Sequence, residues 1–357
     1  MAKRRLIGKP GSKYHVISRF VDRKFATGTD EEKGIMLQFV MRQAAFSGVE
    51  VLTYCIMGNH FHLLLHVPER PSEISEKEIL RRLGNIWKSE RVKELRETFK
   101  AWRKMSEVGD ELVEEKLERF RNRMYSLPEF MKDLKQRYSK WYNHKEQRKG
   151  TLFEERYKSV LVEDGATLRL MAAYIELNPV RAGLVDDPAD FPFCGYAQAC
   201  ADNIDRQRGL RAIMSKPHDK RLPSWKSIEP RYRLLMVEHG REIHHGDGTK
   251  KKRGFTTAQI DAARRAADQE NADEKPADAE RLSSPFSLLK KSRTMTDSLI
   301  LGGKDFVEST IDDLTTEIGV KNPKAREVPD SELCQLANIR RDGTKKKGEP
   351  PTSEATD

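Results

Sequence analysis

Apolar residues first recur near the start of the chain with a period of two, then with a helical period, then with a period of two twice more. Tyr14 to Phe20 is β-branched and aromatic-rich and follows a Gly/Pro/Ser cluster, which predicts a strand. Thr29-Asp30-Glu31-Glu32 has capping-box spacing. Ile35, Met36, Phe39 and Val40 follow at helical spacing, and Gly48 stops that helix. Residues 51–57 read as a second strand and 60–67 as a third. Between them Gly58-Asn59 reads as a tight turn of residues that accept positive φ.

Residues from about 69 to 145 are strongly charged, with helical apolar spacing at Ile79, Leu80, Leu83, Ile86 and Trp87 and again at Leu112, Leu117, Phe120 and Met124. They predict a helical hairpin with solvated faces. A fourth strand is expected over 151–162, and Asp164 is placed to cap a helix carrying Leu168, Met171 and Ile175. Pro179 ends that helix, because the residue before proline is pushed out of the α region. The order is β-α-β-β-(helical insert)-β-α. It predicts an α+β fold: a ferredoxin-like antiparallel sheet with helices on one face.

One domain is thus expected over 13–200, with its insert at about 69–145, and a helical extension over 201–270. A polar linker is expected at 271–284, a small apolar element at 285–325 and a disordered tail at 326–357.

Composition narrows the class. Of the 357 residues 34% are charged, against an ordinary fraction of about 25%. Lys+Arg outnumber Asp+Glu by 66 to 56, for a net charge of +10. That balance suits nucleic acid without proving it. The sequence holds no run of about 18 uncharged apolar residues, so no membrane span is expected. The basic N-terminus lacks the apolar region of a secretory signal. Cys55, Cys194, Cys200 and Cys334 form no CxxC pair, which argues against a disulfide framework or a thiolate zinc site. A cytoplasmic location is expected.

Two segments carry candidate chemistry. On a strand, positions i and i+2 share a face, so His60 and His62 project side by side while Phe61, Leu63 and Leu65 face a core. Two imidazoles on one face make half of a metal site, and equally fit two polar residues on a solvated face. In YIELN at 174–178, Tyr174 and Asn178 share a helix face one turn apart. Alone, that pair equally fits a boundary tyrosine and a helix-terminal asparagine.

Taken together and in order, the segments YHVISR (14–19), GNHFHLLL (58–65), GTLFEERYKSVLVED (150–164), YIELNPVRAGLV (174–185) and FPFCGYAQAC (191–200) resemble the REP-associated branch of the single-tyrosine HUH transposases. The resemblance implies an HUH transposase domain over 13–200. It implies that Tyr174 is the nucleophile and that His60, His62 and Asn178 bind a divalent cation, Mg²⁺ or Mn²⁺. The implied partner is single-stranded DNA with a hairpin, handled by a monomer or homodimer. The expected reaction is cleavage of that strand near the hairpin through a 5′-phosphotyrosine, followed by rejoining. A catalytically retired hairpin-binding protein and a water-using metal-dependent nuclease are the alternatives.

Basic residues that would neutralise phosphates are Arg4 and Arg5 in the N-terminal arm, Arg19, Arg23 and Lys24 around the end of strand one, and Arg156, Lys158 and Arg181 near the site. Phe153 and Tyr157 either stack on bases or are buried by alternation on strand four. His15 is a core or DNA-facing residue and is not counted as a ligand.

Overall fold

The computed structural model describes residues 6–105, 107–215, 221–244, 250–270, 292–318, 323–329 and 331–337. The chain runs β1 (Lys13–Arg19), α1 (Asp30–Ser47), β2 (Glu50–Ile56) and β3 (His60–His66), then four helices, α2 (Glu76–Leu83), α3 (Ser89–Arg103), α4 (Glu107–Arg121) and α5 (Leu127–Lys145). After β4 (Lys158–Val162) come α6 (Ala166–Glu176), the single turn α7 (Asn178–Arg181), α8 (Gly195–Cys200), α9 (Ile204–Met214) and α10 (Trp225–His239). The short pair β5 (Ile243–His244) and β6 (Lys250–Lys252) precedes α11 (Thr257–Glu270). The described chain ends with α12 (Ser292–Asp297), β7 (Ile300–Gly302), α13 (Lys304–Ile318), β8 (Arg326–Glu327) and β9 (Cys334–Leu336).

The local signals act as expected in α1. The Thr29 side chain accepts from the Glu32 N–H, the Glu32 side chain answers the Thr29 N–H, and Gly48 closes the helix at φ 78°. Gly58 works differently from the expectation. It does not adopt positive φ; an added Cβ would lie 2.6 Å from the ring of the exposed Phe25, so glycine lets that ring lie over the turn.

The strands form a mixed, mostly antiparallel sheet of seven, ordered β2-β3-β1-β4-β7-β9-β8, with β4 and β7 parallel. Register places Ile17 opposite His62, Arg19 opposite His60 and His15 opposite Leu64. Tyr14, Val16, Phe61, Leu63 and Leu65 therefore point to one side, where they pack with Met36 and Val40 of α1 and with Phe130, Leu134 and Tyr138 of α5. Cys55, Leu64 and Val160 point to the other side, against Leu168, Met171 and Ile175 of α6. The expectation of helices on one face is thus corrected: both faces are covered, because the strands are apolar on both.

Other boundaries move for physical reasons. The insert is four helices rather than a hairpin, and its last helix, α5, belongs to the central core. The fourth strand is only β4; residues 151–157 are irregular, and Phe153 stacks on Phe20 with ring centroids 4.9 Å apart. Asp164 does not cap α6. It pairs with Lys13 at 2.7 Å, and Gly165 precedes the helix without a side-chain cap. Part of the expected tail is sheet: β9 pairs with β7 on one side and with β8 on the other. The expected linker at 271–284 lies outside the described residues.

Candidate active site

The site is built where β1 and β3 meet α6. His60 and His62 share a sheet face with Arg19, Ile17 and His15 of the neighbouring strand. The two imidazoles lie 5.0 Å apart, edge to face. Above them α6 places the Tyr174 ring 6.1 Å from His62 and 5.9 Å from His15. The sheet and helix therefore bring His60, His62 and Tyr174, separate in sequence, to one place.

His15 is the residue sequence reasoning undervalued. It is fully buried, stacks on His62 at 5.1 Å, and its Nε2 lies 2.8 Å from His62 Nδ1. Its other nitrogen, Nδ1, lies 2.8 Å from the Met295 carbonyl oxygen. A carbonyl only accepts, so His15 Nδ1 donates to Met295. In the neutral ring His15 Nε2 must then accept, so His62 Nδ1 donates to it and His62 Nε2 keeps its lone pair. The same logic holds at His60, whose Nδ1 lies 2.6 Å from Asn59 Oδ1 and donates to it, leaving Nε2 uncommitted.

Electrostatics favour those neutral forms. Burial pushes His60 down to about 4, with Arg19 and Arg181 adding to the effect. Burial likewise pushes His15 to about 4, against the opposing pull of the Met295 hydrogen bond, and His62 well below its ordinary value. All three rings are uncharged at neutral pH. That is the state in which imidazole ligates a cation.

Asn178 stands at the break between α6 and α7. Its Nδ2 donates to the carbonyls of Tyr174, at 3.0 Å, and Ile175, at 3.1 Å. This caps the helix end and leaves Oδ1 as the atom available to a ligand. Two neutral imidazoles with uncommitted Nε2 atoms are donors of the kind a divalent cation accepts, while the side-chain hydrogen bonds of Asn178 are those to its own helix end. Among the described residues no group of three or more His, Cys, Asp and Glu side chains is assembled to hold a metal ion alone.

Arg181 lies over the Tyr174 ring, 4.8 Å from its centroid. Its Nη1 is buried with no hydrogen-bond partner. An orphaned guanidinium nitrogen beside a buried phenol is a place an anion would satisfy. Tyr174 itself is only 3% exposed.

The remaining basic candidates are spread out. Arg19, Arg156 and Lys158 line an open cleft of about 210 Å³ with Ile17, Thr296, Glu154 and Glu155, so the cleft holds both signs of charge. Lys158 is paired with Asp297 at 2.7 Å. Arg23 and Lys24 are exposed after β1, with Lys24 over the Tyr142 ring at 5.4 Å. Arg4 and Arg5 lie outside the described residues. Phe153 and Tyr157 are buried, at 9% and 5% exposure, and are not free to stack on bases. His66, on the same strand, lies 2.8 Å from Glu50.

Sequence reasoning also passed over Glu176. Buried completely, it accepts from the Thr53 hydroxyl and from the Tyr196 N–H at 3.0 Å, tying α6 to β2 and to the start of α8. The signal was a charged residue within an apolar helix. That Met295 supplies a carbonyl had no sequence signal at all.

No family model matches the chain, and no curated protein matches it. Among solved structures it is similar to a REP-associated tyrosine transposase bound to a REP hairpin. The two share 15% identity with a TM-score of 0.35, over 63% of this chain and all of that one.

Proposed function

We propose that the protein is a transposase-like DNA strand-transfer enzyme that cleaves and rejoins single-stranded DNA near a hairpin. The observation that carries this reading is the Tyr174 ring 6.1 Å from His62, beside two imidazoles whose Nε2 lone pairs are both uncommitted. Tyr174 Oη attacks the scissile phosphorus in line, a new P–O bond forms, and the bond to the 3′ oxygen breaks. The phenol loses its proton to solvent and the departing oxygen takes one up, giving a 5′-phosphotyrosine and a 3′-OH. The phosphotyrosine keeps the phosphodiester's energy, so another 3′-OH can reverse the step and join. A divalent cation, Mg²⁺ or Mn²⁺, held by His60, His62 and Asn178 would polarise the phosphate and stabilise charge on its oxygens. Arg181, lying over the phenol ring with one nitrogen orphaned, would take an oxygen of the reacting phosphate as that nitrogen's partner.

The test is a denaturing gel of labelled hairpin-bearing single strands incubated with Mn²⁺ or Mg²⁺. The expected result is a covalent adduct in wild type, absent in Tyr174→Phe, in His62→Ala and with chelator. Cleavage surviving Tyr174→Phe overturns the nucleophile and leaves a water-using nuclease. The burial of Tyr174 favours a second reading, a retired hairpin-binding protein, for which tight binding without any adduct is the signature.

A further inference from the structure

A second cationic site lies away from the histidines. The corner between α2 and α3 faces the outer side of α5 across a cleft of about 550 Å³. Lys88 and Arg91 line it from the corner, Arg137 and Lys140 from α5, and Arg123 from the turn before α5. Asp133 is the one carboxylate in the lining, and it is already engaged. It accepts from Arg123 at 2.7 Å and from Gln43 at 3.3 Å. Four cations therefore face a cleft whose single acid is spent on the fifth.

That arrangement runs against ordinary surface design, in which signs are interspersed. Arg137 bears the strain most. It is half-buried and donates to the Ile86 carbonyl at 3.0 Å. Burial holds its guanidinium below its ordinary range; Asp133 opposes this, while Arg123 and Arg91 add repulsion. Clustered cations with little compensation are the footprint of an anion site. Trp87 lines the same cleft: the Arg91 guanidinium lies 4.0 Å from its ring, and the ring packs edge to face on Phe120 at 5.5 Å, which fixes where Arg91 sits. At about 550 Å³ the cleft has room for more than one phosphate. Its position is also informative. The inner side of α5 packs with Phe61, Leu63 and Leu65, which point away from His60 and His62.

We propose that this cleft grips the backbone of a single-stranded nucleic acid on the side of the sheet opposite the histidine pair. The choice of a nucleic-acid strand over another polyanion rests on the strand-transfer reading above. The cleft holds flanking strand while a different stretch meets Tyr174, so it contributes affinity and not chemistry.

The experiment measures binding of a fluorescent single-stranded oligonucleotide to the full chain by anisotropy over a salt series. Arg91 and Lys140 are both exposed, so Arg91→Ala/Lys140→Ala leaves the fold intact. The double variant is expected to flatten the log–log salt slope by about 1.4, two phosphates at about 0.7 each. It is expected to keep the Tyr174 adduct on a short oligonucleotide. An unchanged slope overturns the proposal. So does a variant that loses binding to poly-glutamate while keeping its oligonucleotide slope, which would assign the cleft to an acidic protein segment. His60→Ala, run in parallel, separates the two sites: its adduct fails while its salt slope stays that of wild type. If no adduct forms in any protein but the double variant still flattens the slope, the strand-transfer reading falls and the cleft stands.

Discussion

His62 Nδ1 donates to His15 Nε2 across 2.8 Å, and His15 Nδ1 passes the relation on to the Met295 carbonyl, 280 residues away in sequence. The C-terminal part of the chain thereby sets which nitrogen of His62 carries its proton. Partners of this kind fix ring orientation and tautomer, and losing one typically costs 10–100-fold in metal affinity.

His15→Ala should therefore weaken Mn²⁺ binding by roughly 10–100-fold without removing any proposed ligand. Calorimetric titration with Mn²⁺ reads the affinity. Nitrogen chemical shifts of His62 in the metal-free protein read the tautomer directly. A His62 spectrum unchanged in His15→Ala would count against the relay whether or not metal binds.

The histidines also make stability depend on pH. His60 is held at about 4 in the folded chain, below its ordinary value of 6.5, so between those values the unfolded chain binds more protons. The folded state is thus favoured above about pH 6.5 and loses that advantage as pH falls toward 4. The urea midpoint of wild type should fall relative to that of His60→Gln over that window on acidification. A difference between the two that is constant from pH 7 to 4.5 would refute the burial argument.

Glu176 carries the opposite sign. Burial raises it to about 7 despite hydrogen bonds from Thr53 and Tyr196, so the unfolded chain sheds its proton first as pH rises from 4.5. Stability from this group is full below 4.5 and lost as pH climbs through 7. Glu176→Gln keeps an acceptor oxygen and cannot ionise. Its stability relative to wild type should improve from pH 5 to pH 8, as read by urea denaturation. Relative stability that falls with rising pH would mean the carboxylate is charged and well paired in the fold.

Arg181 offers a sharper probe of the phenol's surroundings than its removal would. Lysine keeps the charge but loses the planar guanidinium that lies over the Tyr174 ring. Arg181→Lys should fold normally, bind single strands within about threefold of wild type, and lose about tenfold in adduct rate, a difference of about 1.4 kcal/mol in the barrier. Binding and rate falling together by the same factor would mean that Arg181 serves only as a phosphate contact.

By itself the sequence determined what depends on near neighbours along the chain. Alternation put His60 and His62 on one face with Phe61, Leu63 and Leu65 on the other, and the helical repeat put Asn178 one turn beyond Tyr174. The capping signals of α1 were equally local. The β-α-β-β-helices-β-α order followed from them. Tertiary structure decided what depends on register and on distant burial. The partnership of His15 with His62 needs the pairing of β1 with β3, and Met295 reaches it from a helix far along the chain. Strands of two and three residues, such as β8, β7 and β9, are too short to show a period, so the extension of the sheet left no pattern to read. The same holds for α5. Its apolar stripe suits a solvated hairpin or a core helix equally, and only the uncovered face of the sheet, with Phe61 and Leu63 in need of burial, settles which it is.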